Sequence, residues 1–357
     1  MENSFFLFTS NDIQVNIDRF HTCIWEFDND SSLIEFGFEI NKESVKSLNA
    51  ITISLYIPWL KTTCVIEDLF PRLRDSNNSR FIFNDSISNT EYIANNTSDL
   101  GVTHVFSDRN RLCVLPTKTK KKDKILDILI DLSKYQALSH DKKANIYCRV
   151  SIKPTVAHIS TQKAGIGKNT IIYDIKVNER RNIPLGEVEA FTDINMCKIS
   201  SCFLFNIVPN KYDIVFFESG NLKNVRTLEH DSFKEYLKDD RIKKDELIVV
   251  FSKKTAPQGS FESFTFFSIF SKETIGATQF MVAIFLNILC GLLFFIASFR
   301  HPPATSVTSF FHILWDLPGE IYAAFGVTIV LSLYLFLLPI LKKKFINWKP
   351  RLKFNLH

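Results

Sequence analysis

The chain has 357 residues, enough for one or two domains, and carries 43 Lys and Arg against 38 Asp and Glu, a net charge of +5. Seven cysteines, Cys23, Cys64, Cys113, Cys148, Cys197, Cys202 and Cys290, show no C-x-x-C spacing. This excludes a disulfide framework and a zinc site of the usual spacing, and it suits a reducing compartment.

The start, SFFLF at Ser4 to Phe8, is too short for the apolar core of a secretory signal and has no basic residue before it. Strand signals follow. Asp12 to Asp18 alternates with Ile13, Val15 and Ile17 on one face; Cys23 to Phe27, Leu33 to Ile40, Ala50 to Ile57, Arg80 to Phe83, His104 to Phe106 and Leu112 to Leu115 are short and rich in β-branched and aromatic residues. Turn formers divide them, and the pattern predicts a mainly antiparallel sheet structure. Glycosylation-like triplets at Asn77, Asn84, Asn95 and Asn96 are read as unmodified loops.

Helical spacing predicts helices over Thr63 to Phe70, through Val65, Ile66, Leu69 and Phe70, and over Lys124 to Leu138, through Ile125, Leu129, Leu132 and Tyr135. A third is expected at Asp231 to Leu237. Strands resume at Asn145 to Ile152, Thr170 to Val177, Phe203 to Val208, Asp213 to Phe217 and Glu246 to Phe251. The first 255 residues therefore read as one β-rich domain of the α+β class, with a joint near 155–168 if there are two lobes.

Lys118, Lys120, Lys121, Lys122 and Lys124 stand before the second predicted helix, with Arg109 and Arg111 just upstream. Such a run can hold the phosphates of a nucleotide or oligonucleotide, and the alternative is a solvated basic loop. Arg180 and Arg181 form a smaller second candidate. AGIGKNT, Ala164 to Thr170, lacks the first Gly of a phosphate-binding loop, where Gln162 stands, and has no Ser or Thr directly after Lys168; it reads as a hairpin turn. The eight histidines show no H-E-x-x-H and no serine has a G-x-S-x-G context, so no catalytic residue, metal or cofactor is assigned and the chain is expected not to be an enzyme.

After Thr274 the apolar residues run long. Ile275 to Phe299 and Ile321 to Leu341 are uncharged and of a length that crosses a bilayer, so the sequence predicts a transmembrane hairpin at 274–341. Lys253, Lys254 and Lys272 lie before it and Lys342, Lys343 and Lys344 open a basic tail at 342–357, which places both termini on the cytoplasmic side of an inner membrane. A juxtamembrane segment, 256–273, and a connector, 300–320, complete the division. Val307 to Trp315 in the connector is expected to form a re-entrant or interfacial helix. Gly276, Gln279, Ala283, Asn287, Gly291 and Ser298 fall on one arc of the first helix, and Ala324, Thr328 and Ser332 on one of the second. Amides turned to lipid are costly, so these faces are expected to meet each other or other copies in a homo-oligomer.

A β-rich domain followed by a two-helix hairpin resembles the membrane effectors of bacterial antiphage defence, nucleotide-signalled or Hailong-type. The resemblance implies an antiviral membrane effector: the cytosolic domain binds a nucleotide or oligonucleotide, and the hairpins, in a tetramer by analogy with two-helix channels, form an ion channel. Its pore would carry Gln279 and Asn287 inside and Asp316 and Glu320 at the outer mouth. Two alternatives stand beside it: a membrane-tethered protein-binding scaffold, and a membrane-anchored enzyme with an unrecognised site.

Overall fold

Strands dominate the computed structural model, which describes most of residues 3–330 and residue 333; residues 11, 28–30, 95–96, 154–158, 166, 184–193, 219, 245, 257–262, 274–276 and 301–317 lie outside the description. In chain order the elements are β1 (Ser4–Ser10), β2 (Asn16–Phe27), β3 (Ser31–Ile40), β4 (Ala50–Tyr56), β5 (Val65–Asp68), α1 (Phe70–Leu73), α2 (Ser76–Phe83), β6 (Ile87–Ala94), β7 (Thr97–Phe106) and β8 (Leu112–Val114). There follow β9 (Thr117–Lys122), β10 (Ile125–Asp131), α3 (Ser133–Gln136), β11 (Asn145–Lys153), β12 (Thr161–Gly165), β13 (Lys168–Val177), β14 (Ile194–Met196), β15 (Lys198–Pro209) and β16 (Asp213–Phe217). The last are β17 (Leu222–Thr227), α4 (His230–Leu237), β18 (Leu247–Thr255), β19 (Phe264–Glu273) and α5 (Ala277–Arg300).

Two large sheets hold these strands. The first runs β16-β19-β13-β1-β4-β10-β9, with β12 on β13 and β14 on β1; the second runs β17-β18-β15-β2-β3-β11-β8-β7-β6, with β5 on β11. Most described pairings are antiparallel, but β1 with β13, β2 with β15 and β8 with β11 are parallel. Alternation along each strand decides what faces inward. Phe5 and Leu7 of β1, Ile51, Ile53 and Leu55 of β4, and Ile171, Tyr173 and Ile175 of β13 share a core with Phe20 and Ile24 of β2, Phe36 and Phe38 of β3, and Val150 of β11. The other face of the second sheet, with Cys23, Trp25, Tyr147, Ile207 and Val249, builds a separate core with Phe70, Leu73 and Phe83 of α1 and α2 and Phe233, Tyr236 and Leu237 of α4. That helix-covered face carries the candidate site.

Three expected elements are corrected. Lys124 to Leu138 is not one helix: Leu126, Ile128 and Ile130 are fully buried while Leu129 is 40% exposed, so the period is two and β10 forms, followed only by the single turn of α3. Thr63 to Phe70 is mostly β5, and α1 begins at Phe70. Arg80 to Phe83 is the end of α2, capped by the Asp75 side chain accepting from the Asn77 N–H and closed by Asn84 in the left-handed region. AGIGKNT is the β12–β13 hairpin, with Gly167 at φ 72°. All seven cysteines are free.

The chain divides into two compact units, Met1–Glu273 and Thr274–His357. In the second, α5 meets a helix at residues 319–330: Cys290 Sγ lies 3.4 Å from Thr328 Oγ1, Phe294 packs edge-on to Phe325 at 6.4 Å, and Ala324 is buried. Ala283, Asn287 and Gly291 of the predicted polar arc are exposed. α5 spans 24 residues, with its side chains described from Phe280 to Ile296, and the second helix covers residues 319–330. The hydrocarbon of a bilayer is roughly 30 Å thick, and no helix among the described residues is long and apolar enough to cross a membrane. That finding overturns the α+β fold class with a transmembrane hairpin, the inner-membrane localisation and the pore-forming effector function; the fold is mainly β. The described part of α5 does expose Phe280, Met281, Phe285, Ile288 and Leu292. The connector helix expected at Val307 to Trp315 lies outside the described residues.

Candidate functional site

The helix-covered face of the second sheet should, by its period, be apolar like the other. Instead Arg19 and His21 of β2, Glu35 and Glu39 of β3, and Tyr147 and Arg149 of β11 place polar groups there, in adjacent strands. Gly37 stands between them in register with both His21 and Arg149. A Cβ at this position would lie 2.2 Å from the Tyr147 hydroxyl and 3.3 Å from His21 Cβ, so only glycine leaves room for the two rings to meet.

The buried groups satisfy one another. Arg149 donates through Nε and Nη2 to Glu35 Oε2, each at 2.6 Å, Tyr236 donates to the same oxygen at 3.1 Å, and Trp25 Nε1 donates to Glu35 Oε1 at 2.9 Å. Burial disfavours the charged guanidinium of Arg149, yet Glu35, with Tyr236 and Tyr147 behind it, keeps its pKa well above the usual value. Arg149 also donates to the Tyr147 hydroxyl at 3.3 Å, which in turn lies 3.0 Å from His21 Nδ1. Burial, then the cations Arg149, Arg19 and Arg109, hold the His21 pKa well below its ordinary value. Burial likewise pushes the Tyr147 phenol up to about 12.

Above this floor is a cavity of about 310 Å³. Arg19, Arg109, Arg149, Lys223 and Arg226 line it, and among the described residues no carboxylate does. Three carboxylates are ion-paired to these cations: Glu35 with Arg149, Glu39 with Arg109 at 3.1 Å and Arg19 at 3.5 Å, and Glu229 with Arg226 at 2.9 Å. Five cations against three carboxylates leave two positive charges in excess. Arg226 also donates to Asn84 Oδ1 at 3.4 Å, joining β17 to the end of α2. Burial lowers the Arg109 pKa, and Glu39 opposes that.

Aromatic rings supply the apolar wall. Phe203 and Phe251 are stacked at 5.9 Å with planes 6° apart, and Phe251 and Phe205 at 4.6 Å with planes 8° apart. Phe81, Phe83 and Phe233 close the cavity from the helices. Arg109 lies over both Phe83 and Phe106, at 5.3 and 4.9 Å, and Arg19 over Phe203 at 5.9 Å. A volume near 300 Å³ is at the small end of the usual range for ligand sites, about 300–1,000 Å³. The arrangement suits a small anion with a flat ring.

The residues singled out in the sequence lie elsewhere. Lys118, Lys120, Lys121 and Lys122 belong to β9, an edge strand of the first sheet, and Lys124 sits in the β9–β10 turn; no helix starts there. Lys121 Nζ donates to the carbonyls of Thr62 and Cys64, at 2.6 Å each, while Lys118, Lys120 and Lys122 are exposed. Lysines on an edge strand also discourage pairing with another sheet. Arg181 is ion-paired to Glu179, and Arg180 lines a separate cavity of about 230 Å³ with Lys198. Asn287 is exposed on α5, and Glu320 is half-buried in the helix at 319–330. The Gln279 side chain and Asp316 lie outside the described residues. Of the cations noted in the sequence, Arg109 alone lines the cavity. Among the described residues no group of His, Cys, Asp and Glu is placed to hold a metal ion. No protein-family model matches the chain, and no curated protein matches it.

Proposed function

We propose that the unit Met1–Glu273 is a binding module for a nucleotide-class ligand, a flat heterocycle joined to phosphate, held in the cavity between the second sheet and helices α2 and α4. One observation carries the reading: five cations and a row of parallel phenylalanine rings converge on one concave space that, among the described residues, no carboxylate lines. The two excess positive charges match a phosphate monoester, which bears close to two negative charges at neutral pH. Stacking of a base on aromatic rings contributes about 1–3 kcal/mol and tolerates any base. Guanidinium groups match phosphate oxygens in a bidentate way, and Arg226 is one of four arginines that line the cavity. Glu35 and Arg149 stiffen the floor and hold Tyr147 and His21 as fixed polar contacts.

Isothermal titration of the whole chain with a panel of nucleoside monophosphates tests this. Saturable binding is expected, weakened about tenfold or more by Arg226→Ala and about fivefold or more by Phe251→Ala, because a charge-assisted hydrogen bond is worth about 1.5–3 kcal/mol and a stacking contact about 1–3 kcal/mol. Absence of binding, or binding that ignores both substitutions, contradicts the proposal.

A further inference from the structure

We infer, building on the nucleotide reading above, that the ligand carries more than one phosphate and that its phosphate chain leaves the cavity past Lys223 into a second, basic cleft. This cleft, about 460 Å³, lies along the ends of β17 and β18 and is lined by Asn221, Lys223, Lys253, Lys254 and Thr255, with Phe264 the one aromatic among its described lining residues. Lys223 lines both spaces, so they adjoin. Phe203 marks the same junction: Arg19 lies over its ring on behalf of the cavity, and Lys253 Nζ lies over it at 5.4 Å on behalf of the cleft.

The two spaces differ in chemistry. The cavity offers rings and guanidinium groups, which suit a base and its first phosphate; the cleft offers ammonium, amide and hydroxyl groups, and no stacked rings. Lys254 is held by Glu218 at 2.6 Å, whereas neither Lys223 nor Lys253 is ion-paired among the described residues. Two unpaired ammonium groups in a polar cleft suit further phosphate oxygens, for which lysine acts as a point charge. A nucleoside triphosphate carries its further phosphates in an unbroken chain and a linear oligonucleotide carries them spaced by ribose; both bring phosphate oxygens beyond the first, and the cleft recognises those.

Titrating the whole chain with AMP, ATP and the linear dinucleotide pApA, without divalent cations, tests the inference. The longer phosphate chains are expected to bind about tenfold or more tighter than AMP, as one or two charge-assisted contacts allow. Lys253→Glu should remove that advantage and leave AMP affinity within about threefold, with Lys223→Ala reducing the affinity for all three. Circular dichroism confirms that each variant is folded. ATP tighter than pApA assigns a nucleoside triphosphate, and the reverse order assigns an oligonucleotide; both support the cleft. Equal affinity for AMP and the longer ligands, or an advantage that survives Lys253→Glu, overturns the inference while the monophosphate reading stands. No binding of any of the three overturns both.

Discussion

Arg149 and Glu35 form an ion pair 2.6 Å long with 4% and 0% of their side-chain surfaces exposed, beneath the cavity on the helix-covered face of the second sheet. Such a pair costs desolvation that its Coulomb attraction barely offsets, so its presence here is about positioning more than net stability. Tyr147, Trp25 and Tyr236 all hydrogen-bond to one of the two partners.

Removing one partner should therefore cost more than removing both. Glu35→Gln leaves a buried guanidinium without its counter-ion and is expected to destabilise the chain by about 3–5 kcal/mol, whereas Glu35→Leu with Arg149→Met should cost markedly less. Urea unfolding of the wild type and the two variants checks this, and a double variant as unstable as Glu35→Gln or more so would refute it.

Gly37 is the second lever on the same network. Gly37→Ala drives a methyl group against the Tyr147 hydroxyl and is expected to cost about 1–3 kcal/mol, as overpacking does. Adding Tyr147→Phe removes the atom in closest conflict, so part of the loss should return. A double-mutant cycle by denaturant unfolding with no coupling would show that the ring and the glycine do not share the space.

Acid should weaken the fold before carboxylates begin to titrate. Burial lowers the pKa of both His21 and His104 in the folded chain, while the unfolded chain takes up protons near 6.5. The unfolded state thus binds more protons just below that value, and stability, complete above about 6.5, falls as pH drops through the depressed folded values. The melting temperature should be lower at pH 5.5 than at pH 7.5, and His21→Gln should shrink the difference. A flat or rising trend on acidification would contradict this.

The sheets were legible because their strands keep a period of two over apolar runs, as Leu33 to Ile40 and Asn145 to Ile152 do. The failures have physical causes. Ile125, Leu129, Leu132 and Tyr135 mimic a helical stripe, but Leu126, Ile128 and Ile130 bury completely against the other sheet, and tertiary burial prevailed. At 274–341 hydropathy spoke for a bilayer, but no helix among the described residues is long and apolar enough to cross one. The candidate site was hidden because its cations come from β2, β11, β17 and the β7–β8 turn, far apart in the chain and joined only by sheet order. One signal was readable: Glu35, Gly37 and Glu39 alternate with buried Ile34, Phe36, Phe38 and Ile40, a polar row where a twice-covered strand should be apolar throughout.

Photolabelling by 8-azido-AMP, followed by peptide mapping, tests the central claim most directly. The account predicts labels on the peptides that hold Phe81 to Asn84, Phe203 to Phe205 or Phe251, competed away by unmodified AMP and reduced in Arg226→Ala. Labelling confined to the Lys118 to Lys124 edge strand, or none that AMP competes away, would contradict the assignment of the cavity as the nucleotide site.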